Sequence, residues 1–335
     1  MKVFMIGGTG LIGSVAAREI INKGYYVTSL ALPPIPKGLL IPKEMKLYLK
    51  DFSKLSDADL IELFKDCYGF IFAAGIDERV EGPSPIYDMF YKYNIEPLKR
   101  LLPLAKKAGV KHSIILGSYF THFNKEWPEL DLYNTHPYIR SRVDQEEIAL
   151  SFSDEEMSVS VLELPYIFGI QPGRIPVWII LAEQILKMKF YTYYPKGGTT
   201  MITINQLGGL IANLLEKPNG ALAIPVGYYN LTWKEMLAEY HKALNLNRKI
   251  KTVPEWLYRF GIKKVDNQNK KKGIESGLNL IELSKIMYRE AFIDKKSIEE
   301  YDIPDDDILK AIYDSVKLSY EVIKGKKEMI GMVKE

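Results

Sequence analysis

Cysteine is almost missing from this chain. Cys67 is the single one in 335 residues, so no disulfide can close within the chain and a cysteine-based zinc site is not expected. Histidine is scarce too. His112, His122, His136 and His241 show no metal-ligand spacing, and no metal is expected. No apolar run reaches the roughly 18 to 20 residues that span a bilayer, so no membrane partner is expected. The first predicted strand begins at Lys2 or Val3, which leaves no room for a signal peptide, and the reading is a soluble, cytoplasmic protein. A charge excess is also lacking. Lys and Arg number 45 against 42 Asp and Glu, a net charge of +3, which gives no case for a nucleic-acid partner. The densest basic run, Lys263-Lys264 to Lys270-Lys271-Lys272, is diluted by Asp266, Asn267, Gln268 and Asn269 and reads as a solvated loop. The sequence holds no internal repeat and no other low-complexity segment.

What is present is a 47% hydrophobic share and enough length for one large core, or a core with a smaller lobe. The first half alternates strand and helix signals. Lys2–Ile6 reads as a short apolar strand, Leu11–Lys23 as a helix stopped by Gly24, and Tyr25–Ala31 as a second strand. Pro33-Pro34-Ile35-Pro36 forces a loop. A strand over Met45–Leu49, a helix over Asp57–Lys65, a buried strand over Tyr68–Ala73 and a long helix over Tyr87–Ala108 follow. His112–Leu116 and Met157–Leu164 read as strands on either side of a helix over Tyr138–Phe152. Strands alternating with helices of this length mean βαβ units, a parallel sheet and a doubly wound α/β fold. After Pro165 the pattern loosens, with helices expected at Val177–Lys187, Asn205–Glu216, Lys234–Leu244 and Asp306–Ile323 and strands near Thr200–Ile204 and Leu222–Val226.

The strongest motif is Gly7-Gly8-Thr9-Gly10-Leu11-Ile12-Gly13, a G-x-x-G-x-x-G pattern between the first strand and the first helix. Gly7 permits the tight turn, Gly10 lets backbone approach a pyrophosphate, and Gly13 lets the helix pack close to the strand. The helix N-terminus then offers free N–H groups and a positive dipole end to phosphate. A nicotinamide dinucleotide is the expected cofactor. The second strand ends Ser29-Leu30-Ala31-Leu32-Pro33, with neither a ribose-binding acid nor an arginine. NAD or NADP therefore stays open; the missing carboxylate tilts the reading toward NADP, for which Lys37 lies within reach of a 2′-phosphate. Residues 1–168 are read as a dinucleotide-binding Rossmann domain. Residues 169–335 are read as a smaller C-terminal substrate-binding lobe, interleaved so that about 200–228 returns to the first domain.

Further landmarks arrive in order over roughly residues 1–230. They are Lys50-Asp51-Phe52, Phe72-Ala73-Ala74-Gly75, Tyr93-Asn94, Gly109-Val110-Lys111 before Ile114-Ile115-Leu116-Gly117-Ser118, and Glu163-Leu164-Pro165-Tyr166-Ile167-Phe168-Gly169. Their order and spacing resemble the extended short-chain dehydrogenase/reductase family, which includes nucleotide-sugar epimerases and dehydratases. The resemblance implies cofactor contacts from Gly7, Thr9, Gly10, Leu11, Ile12 and Gly13. It adds Asp51 and Phe52 at the adenine, then Ala73, Ala74, Gly75, Asn94 and Pro165. It also implies a catalytic group of Ser118, Tyr138 and Arg142, of which Tyr138 and Arg142 would contact the cofactor as well. In the family a tyrosine phenol carries the proton as hydride moves, a Ser or Thr holds the substrate oxygen, and a Lys four residues after the tyrosine binds the nicotinamide ribose and depresses the phenol pKa. Tyr138 and Arg142 are an i,i+4 pair on one helix face. Ser118 ends a parallel strand, at the edge where such sheets bind ligands.

This chain has Arg142 where the family has lysine. Arginine keeps the charge but is planar and never deprotonated, so it cannot join a proton relay. Ser118 is followed by Tyr119-Phe120 rather than the Asp-Glu of the dehydratases, which argues against sugar dehydration. Tyr119 is a candidate substrate contact, and Arg174 is the candidate for a substrate diphosphate. Trp178 and Phe190-Tyr191-Thr192-Tyr193-Tyr194 suit a pocket wall or plain packing, and Asp77-Glu78-Arg79 a pocket rim or a solvated loop. The expected activity is NAD(P)-dependent hydride transfer at a secondary alcohol or ketone carbon of a small-molecule substrate, with epimerisation of a nucleotide sugar included. One alternative is an NADPH-dependent carbonyl reductase; another, prompted by Arg142, is a cofactor-binding protein with weak or no catalysis. The resemblance also implies a homodimer through the helix carrying Tyr138.

Overall fold

The computed structural model describes residues 1–35, 37–327 and 329, with the side chains at 264, 265 and 267–270 outside the description. Pro36, which closes the proline-rich loop, lies outside the described residues. The first half of the chain alternates as β1 (Lys2–Ile6), α1 (Leu11–Asn22), β2 (Tyr26–Ala31), β3 (Lys46–Leu49), α2 (Asp57–Phe64), β4 (Gly69–Phe72), a short β5 (Glu81–Pro83), α3 (Tyr87–Phe90), α4 (Glu96–Lys107), β6 (His112–Leu116), α5 (Phe120–Glu126), α6 (Leu132–Thr135), α7 (Pro137–Leu150) and β7 (Ser158–Glu163). The second half is more broken: β8 (Tyr166–Phe168), α8 (Ile179–Lys187), β9 (Thr192–Tyr194), β10 (Gly198–Thr203), α9 (Ile204–Leu214), β11 (Ala221–Pro225), β12 (Tyr229–Thr232), α10 (Trp233–Leu244), β13 (Ile250–Thr252), α11 (Glu255–Lys271), β14 (Ile274–Ser276), α12 (Leu280–Met287), β15 (Glu290–Ala291) and α13 (Ile308–Ile323).

Seven strands lie parallel in the order β11-β7-β6-β4-β1-β2-β3. The chain runs outward from β1 in one direction and from β4 in the other. The two strands thus flank the switch point beyond whose carboxyl ends such sheets bind ligands. Helices cover both faces, which is why these strands read as nearly unbroken apolar runs. On one face, Val15, Ala16 and Ile20 of α1 and Leu207, Leu210 and Ile211 of α9 share a core with Val3 and Met5. On the other, Leu60 and Phe64 of α2 and Leu98 and Leu101 of α4 pack on Phe4, Phe70 and Phe72. Phe4 meets Phe64 edge to face at 4.9 Å. Truncating any one of these fully buried phenylalanines to alanine costs about 3–5 kcal/mol.

A second, smaller sheet runs β12-β10-β15, with β8 beside β10. Of the stretch 200–228, α9 packs on the core of the large sheet and β11 forms its edge, whereas β10 stands in the second sheet. Capping boxes start α2 (Ser56 with Asp59), α9 (Thr203 with Gln206) and α10 (Thr232 with Glu235), each worth about 1 kcal/mol.

Two expectations are corrected. The long helix over Tyr87–Ala108 is broken between α3 and α4 by a π turn, Tyr91–Ile95. The basic run from Lys263 is not a loop, because α11 continues to Lys271. Its polar residues are ordinary occupants of an exposed helix, so polarity alone misread it. The side chains of Lys264, Asn267, Gln268, Asn269 and Lys270 lie outside the described residues.

Candidate active site

The turn after β1 is shaped by what a side chain would strike. Gly7 has φ +98°, and a Cβ there would sit 2.3 Å from the Ala73 carbonyl oxygen at the end of β4. A Cβ on Gly13 would sit 2.3 Å from the Gly7 carbonyl oxygen, so α1 can lie this close to the turn only without one. Gly10 is different: a Cβ would meet only the Gly7 carbonyl, at 3.2 Å, so its outer side is open. Gly10 is also the N-cap of α1, with no side-chain cap bond and no acid in the first turn. The turn is braced by the Gly8 amide, which donates to Ser29 Oγ at 3.0 Å. Uncapped amides, a positive dipole end and an open approach suit a bound pyrophosphate. Leu11 and Ile12 turn inward onto the core, so any contact they make with a phosphate comes from backbone.

Ser118 follows β6, and Tyr138 and Arg142 project from the first turns of α7. The fold brings all three together. Tyr138 is 4% exposed, and Ser118 and Arg142 are buried. The Arg142 guanidinium carbon lies 5.1 Å from the centre of the Tyr138 ring. Arg142 Nη1 donates to Gln145 Oε1 at 2.8 Å and to the Leu116 carbonyl at 3.4 Å, and Nη2 donates to the Ile76 carbonyl at 3.1 Å. Its buried Nε has no partner. Burial is the largest influence on the Tyr138 phenol and pushes its pKa up; Arg142 and a hydrogen bond with Ser118 pull it down, while Glu78 and Asp77 push it further up. The net direction is up. The depression that the resemblance implies is therefore outweighed by desolvation.

Glu78, on the loop after β4, is part of this site rather than a solvated rim. Its own pKa is raised by burial first and by Asp77 next, against the pull of Arg79 and Arg142. Its charge acts on Tyr138, Tyr119 and Tyr166. Arg79 is held by Asp77 and donates to the Val177 carbonyl at 2.9 Å. Tyr119 is buried, and its hydroxyl pairs with Thr199 Oγ1 of β10 at 2.9 Å. Its ring lies 6.1 Å from Tyr166, which stands 4.9 Å from Trp178. Trp178 stacks on Phe168 at 4.5 Å and donates to the Ile167 carbonyl, while Phe190 is exposed. Behind Ser118 sits a buried acidic pair. Thr121 Oγ1 lies 2.9 Å from the Ser118 carbonyl, 2.9 Å from Glu146 Oε2 and 2.7 Å from Glu163 Oε1. Lys125 reaches both carboxylates. Burial and Glu146 push the Glu163 pKa up to about 7.

Other expected residues fall in distinct places. Asn94 sits in the π turn and spends its amide on the protein: Oδ1 accepts from the Ile76 amide at 2.8 Å, and Nδ2 donates to the Ile76 carbonyl at 3.1 Å. It thereby fixes the loop that begins at Ala74 and Gly75. Asp51 accepts from the Ser53 amide at 2.9 Å and caps a short 3-10 turn that begins at Phe52. Pro165 is buried where β7 ends, next to Leu164, whose carbonyl accepts from the Tyr119 amide at 3.0 Å. Arg174 lies beside the phosphate turn, where its Nη2 donates to Thr9 Oγ1 at 3.2 Å. Sequence reasoning missed Gly277 and Asn279. The Tyr138 amide donates to the Gly277 carbonyl at 2.8 Å, and the Asn279 amide donates to His136 Nδ1 at 3.0 Å. Just before them, β14 pairs with β5. Among the described residues no cluster of three His, Cys, Asp or Glu side chains is placed to hold a metal, and no helix is long and apolar enough to cross a membrane.

With this geometry in place, comparison with known proteins is informative. No curated protein sequence matches the chain. Among solved structures, that of gox2253 is 17% identical over 97% of this chain and 99% of that one, with a TM-score of 0.72. A UDP-glucose 4-epimerase from Bifidobacterium longum, in complex with NAD+ and UDP, is 16% identical over 97% and 99%, with a TM-score of 0.65. A UDP-glucuronic acid 4-epimerase from Bacillus cereus, in complex with UDP-glucuronic acid and NAD, is 14% identical over 98% and 100%, with a TM-score of 0.66. At such identities the likeness is one of fold. The sequence profile of a family reaches further, matching residues 3–193, more than half of the chain. That span holds the phosphate turn, Ser118, Tyr138 and Arg142, and the chain belongs to the NAD dependent epimerase/dehydratase family.

Proposed function

We propose that the chain is an NAD-dependent epimerase or oxidoreductase of the extended short-chain type, acting at a secondary alcohol or ketone carbon of a nucleotide sugar, with Tyr138 as its acid/base. One observation carries the proposal: Ser118 and Arg142 converge on a buried Tyr138 beyond the same strand ends that carry the phosphate turn. The family's name and the NAD in its solved relatives support NAD over the NADP suggested by the missing carboxylate. A homodimer belongs to the same reading, and light scattering at twice the chain mass checks it.

Bound dinucleotide supplies a carbon that accepts and returns hydride. The chain does the rest. The Gly7–Gly13 amides and the N-terminus of α1 hold the pyrophosphate. Ser118 holds the substrate oxygen. Tyr138, a phenol that is protonated at neutral pH already at its ordinary pKa and is pushed further up by burial, donates to that oxygen or takes its proton back. Arg142, pinned by Ile76, Leu116 and Gln145, favours the phenolate without itself giving up a proton. Tyr119, Tyr166 and the apolar side chains around them keep water from the reacting carbon.

A second reading, a dinucleotide-binding protein with weak catalysis, is favoured by the raised Tyr138 pKa and by the protein partners that already occupy Arg142. Tyr138→Phe separates the two. If the first reading holds, turnover of UDP-glucose or UDP-glucuronate falls about 10²- to 10⁴-fold with NADH affinity unchanged. Equal, negligible turnover by both proteins, with NADH bound, selects the second.

A further inference from the structure

The segment between β8 and α8 crosses the phosphate turn. It is anchored at Gly169, whose amide donates to Ser315 Oγ of α13 at 3.0 Å and whose carbonyl lies 3.1 Å from the same hydroxyl. From there buried Gln171 donates through Nε2 to the Leu40 carbonyl at 3.1 Å, in the loop between β2 and β3. Three residues on, Arg174 Nη2 reaches Thr9 Oγ1 at 3.2 Å. One stretch of six residues therefore touches the loop beyond β2, where a dinucleotide lays its adenosine, and the turn that takes its pyrophosphate.

Among the described residues, the Arg174 guanidinium has no acidic partner. Burial alone bears on its pKa, pulling it down, and no carboxylate among the described residues pulls it back. Its buried Nε donates to nothing. Among the described residues, its one side-chain bond goes to a neutral hydroxyl. A half-buried cation without an anion is costly, and here it faces a helix N-terminus that is itself positive and uncapped. Both features call for the same missing anion.

Resting on the dinucleotide reading above, we infer that Arg174 clamps the pyrophosphate of the cofactor, and that Gly169–Arg174 is a strap that retains the dinucleotide between turnovers. The diphosphate of a nucleotide-sugar substrate has the same chemistry. Contact with Thr9, inside the turn, assigns Arg174 to the cofactor instead. A retained cofactor is also what an epimerase requires, since its hydride must return to the substrate it came from.

The test is binding, not turnover. NADH, ADP, adenosine and UDP are titrated against the unaltered protein, Arg174→Ala and Arg174→Lys, with thermal melting to establish that each is folded. Stopped-flow displacement gives the NADH dissociation rate. Arg174→Ala is expected to weaken NADH and ADP about 10- to 100-fold and to speed NADH release by a similar factor, leaving adenosine affinity unchanged. Arg174→Lys, a point charge without the planar fork, is expected to recover part of the loss. If Arg174→Ala binds NADH and ADP normally but loses UDP, the arginine serves the substrate and the clamp is refuted. If all four ligands bind both variants as they bind the unaltered protein, the clamp is refuted as well. If the unaltered protein binds neither NADH nor ADP at millimolar concentration, the dinucleotide reading itself falls and takes the clamp with it.

Discussion

Tyr138 feels opposing charges, since Arg142 favours its phenolate while Glu78 and Asp77 disfavour it, and its acidity is set by their balance against burial. Glu78→Gln removes a negative charge that disfavours the phenolate. The limb of the pH–rate profile that reports Tyr138 is then expected to move to lower pH. Arg142→Gln is expected to move it up, and profiles that shift in the same direction for both variants would refute the arrangement. Glu163 offers a stability test. Its folded pKa of about 7 exceeds the ordinary value of 4.5, so between these pH values the folded chain holds more proton than the unfolded chain. Stability from this group is full below the window and is lost as pH rises through it. Glu163→Gln is therefore expected to gain melting temperature relative to the unaltered protein on going from pH 5 to pH 8. That Ser118, Tyr138 and Arg142 come together was legible from the family resemblance, with a strand end and an i,i+4 helix spacing to place them. The roles of Glu78 and Gly277 were not, because each depends on contacts remote in sequence, as between Gly277 and Tyr138.

At the scale of elements, what could be read was whatever repeats locally: apolar strands, amphipathic helices, glycine stops and the G-x-x-G-x-x-G turn. In the second half β10 and β11 were read near Thr200–Ile204 and Leu222–Val226, whereas the other strands escaped because they are two to four residues long and find partners far away, as β14 finds β5. The π turn escaped because its side chains keep a helical apolar pattern; it is revealed by what Asn94 does. That residue ties both backbone groups of Ile76, and the Ile76 carbonyl in turn seats Arg142. Asn94→Ala leaves the part-buried Ile76 amide without its partner and the carbonyl with Arg142 alone, and is expected to cost about 1–3 kcal/mol in denaturant unfolding. It should also weaken turnover by loosening Arg142. A loss below about 0.5 kcal/mol would mean that the loop is held by something else.

For the whole molecule, the two halves of the chain meet at α7. Residues 274–279 pair with β5, receive the Tyr138 amide at Gly277 and bond to His136 through Asn279. A Cβ on Gly277 would come within 2.6 Å of the Phe90 ring and 3.2 Å of the Glu78 carbonyl. Gly277→Ala should therefore displace the start of α7 and cut turnover at least tenfold, with NADH affinity changed less than twofold. Loss of both together would show that the clasp supports the entire fold. The clasp also orders events during synthesis, which runs from the N-terminus. The phosphate turn at Gly7–Gly13 leaves the ribosome early, whereas Asn279 follows only when most of the polypeptide has been made. The Gly7–Gly13 turn is thus complete in sequence long before the segment that seats the start of α7 exists.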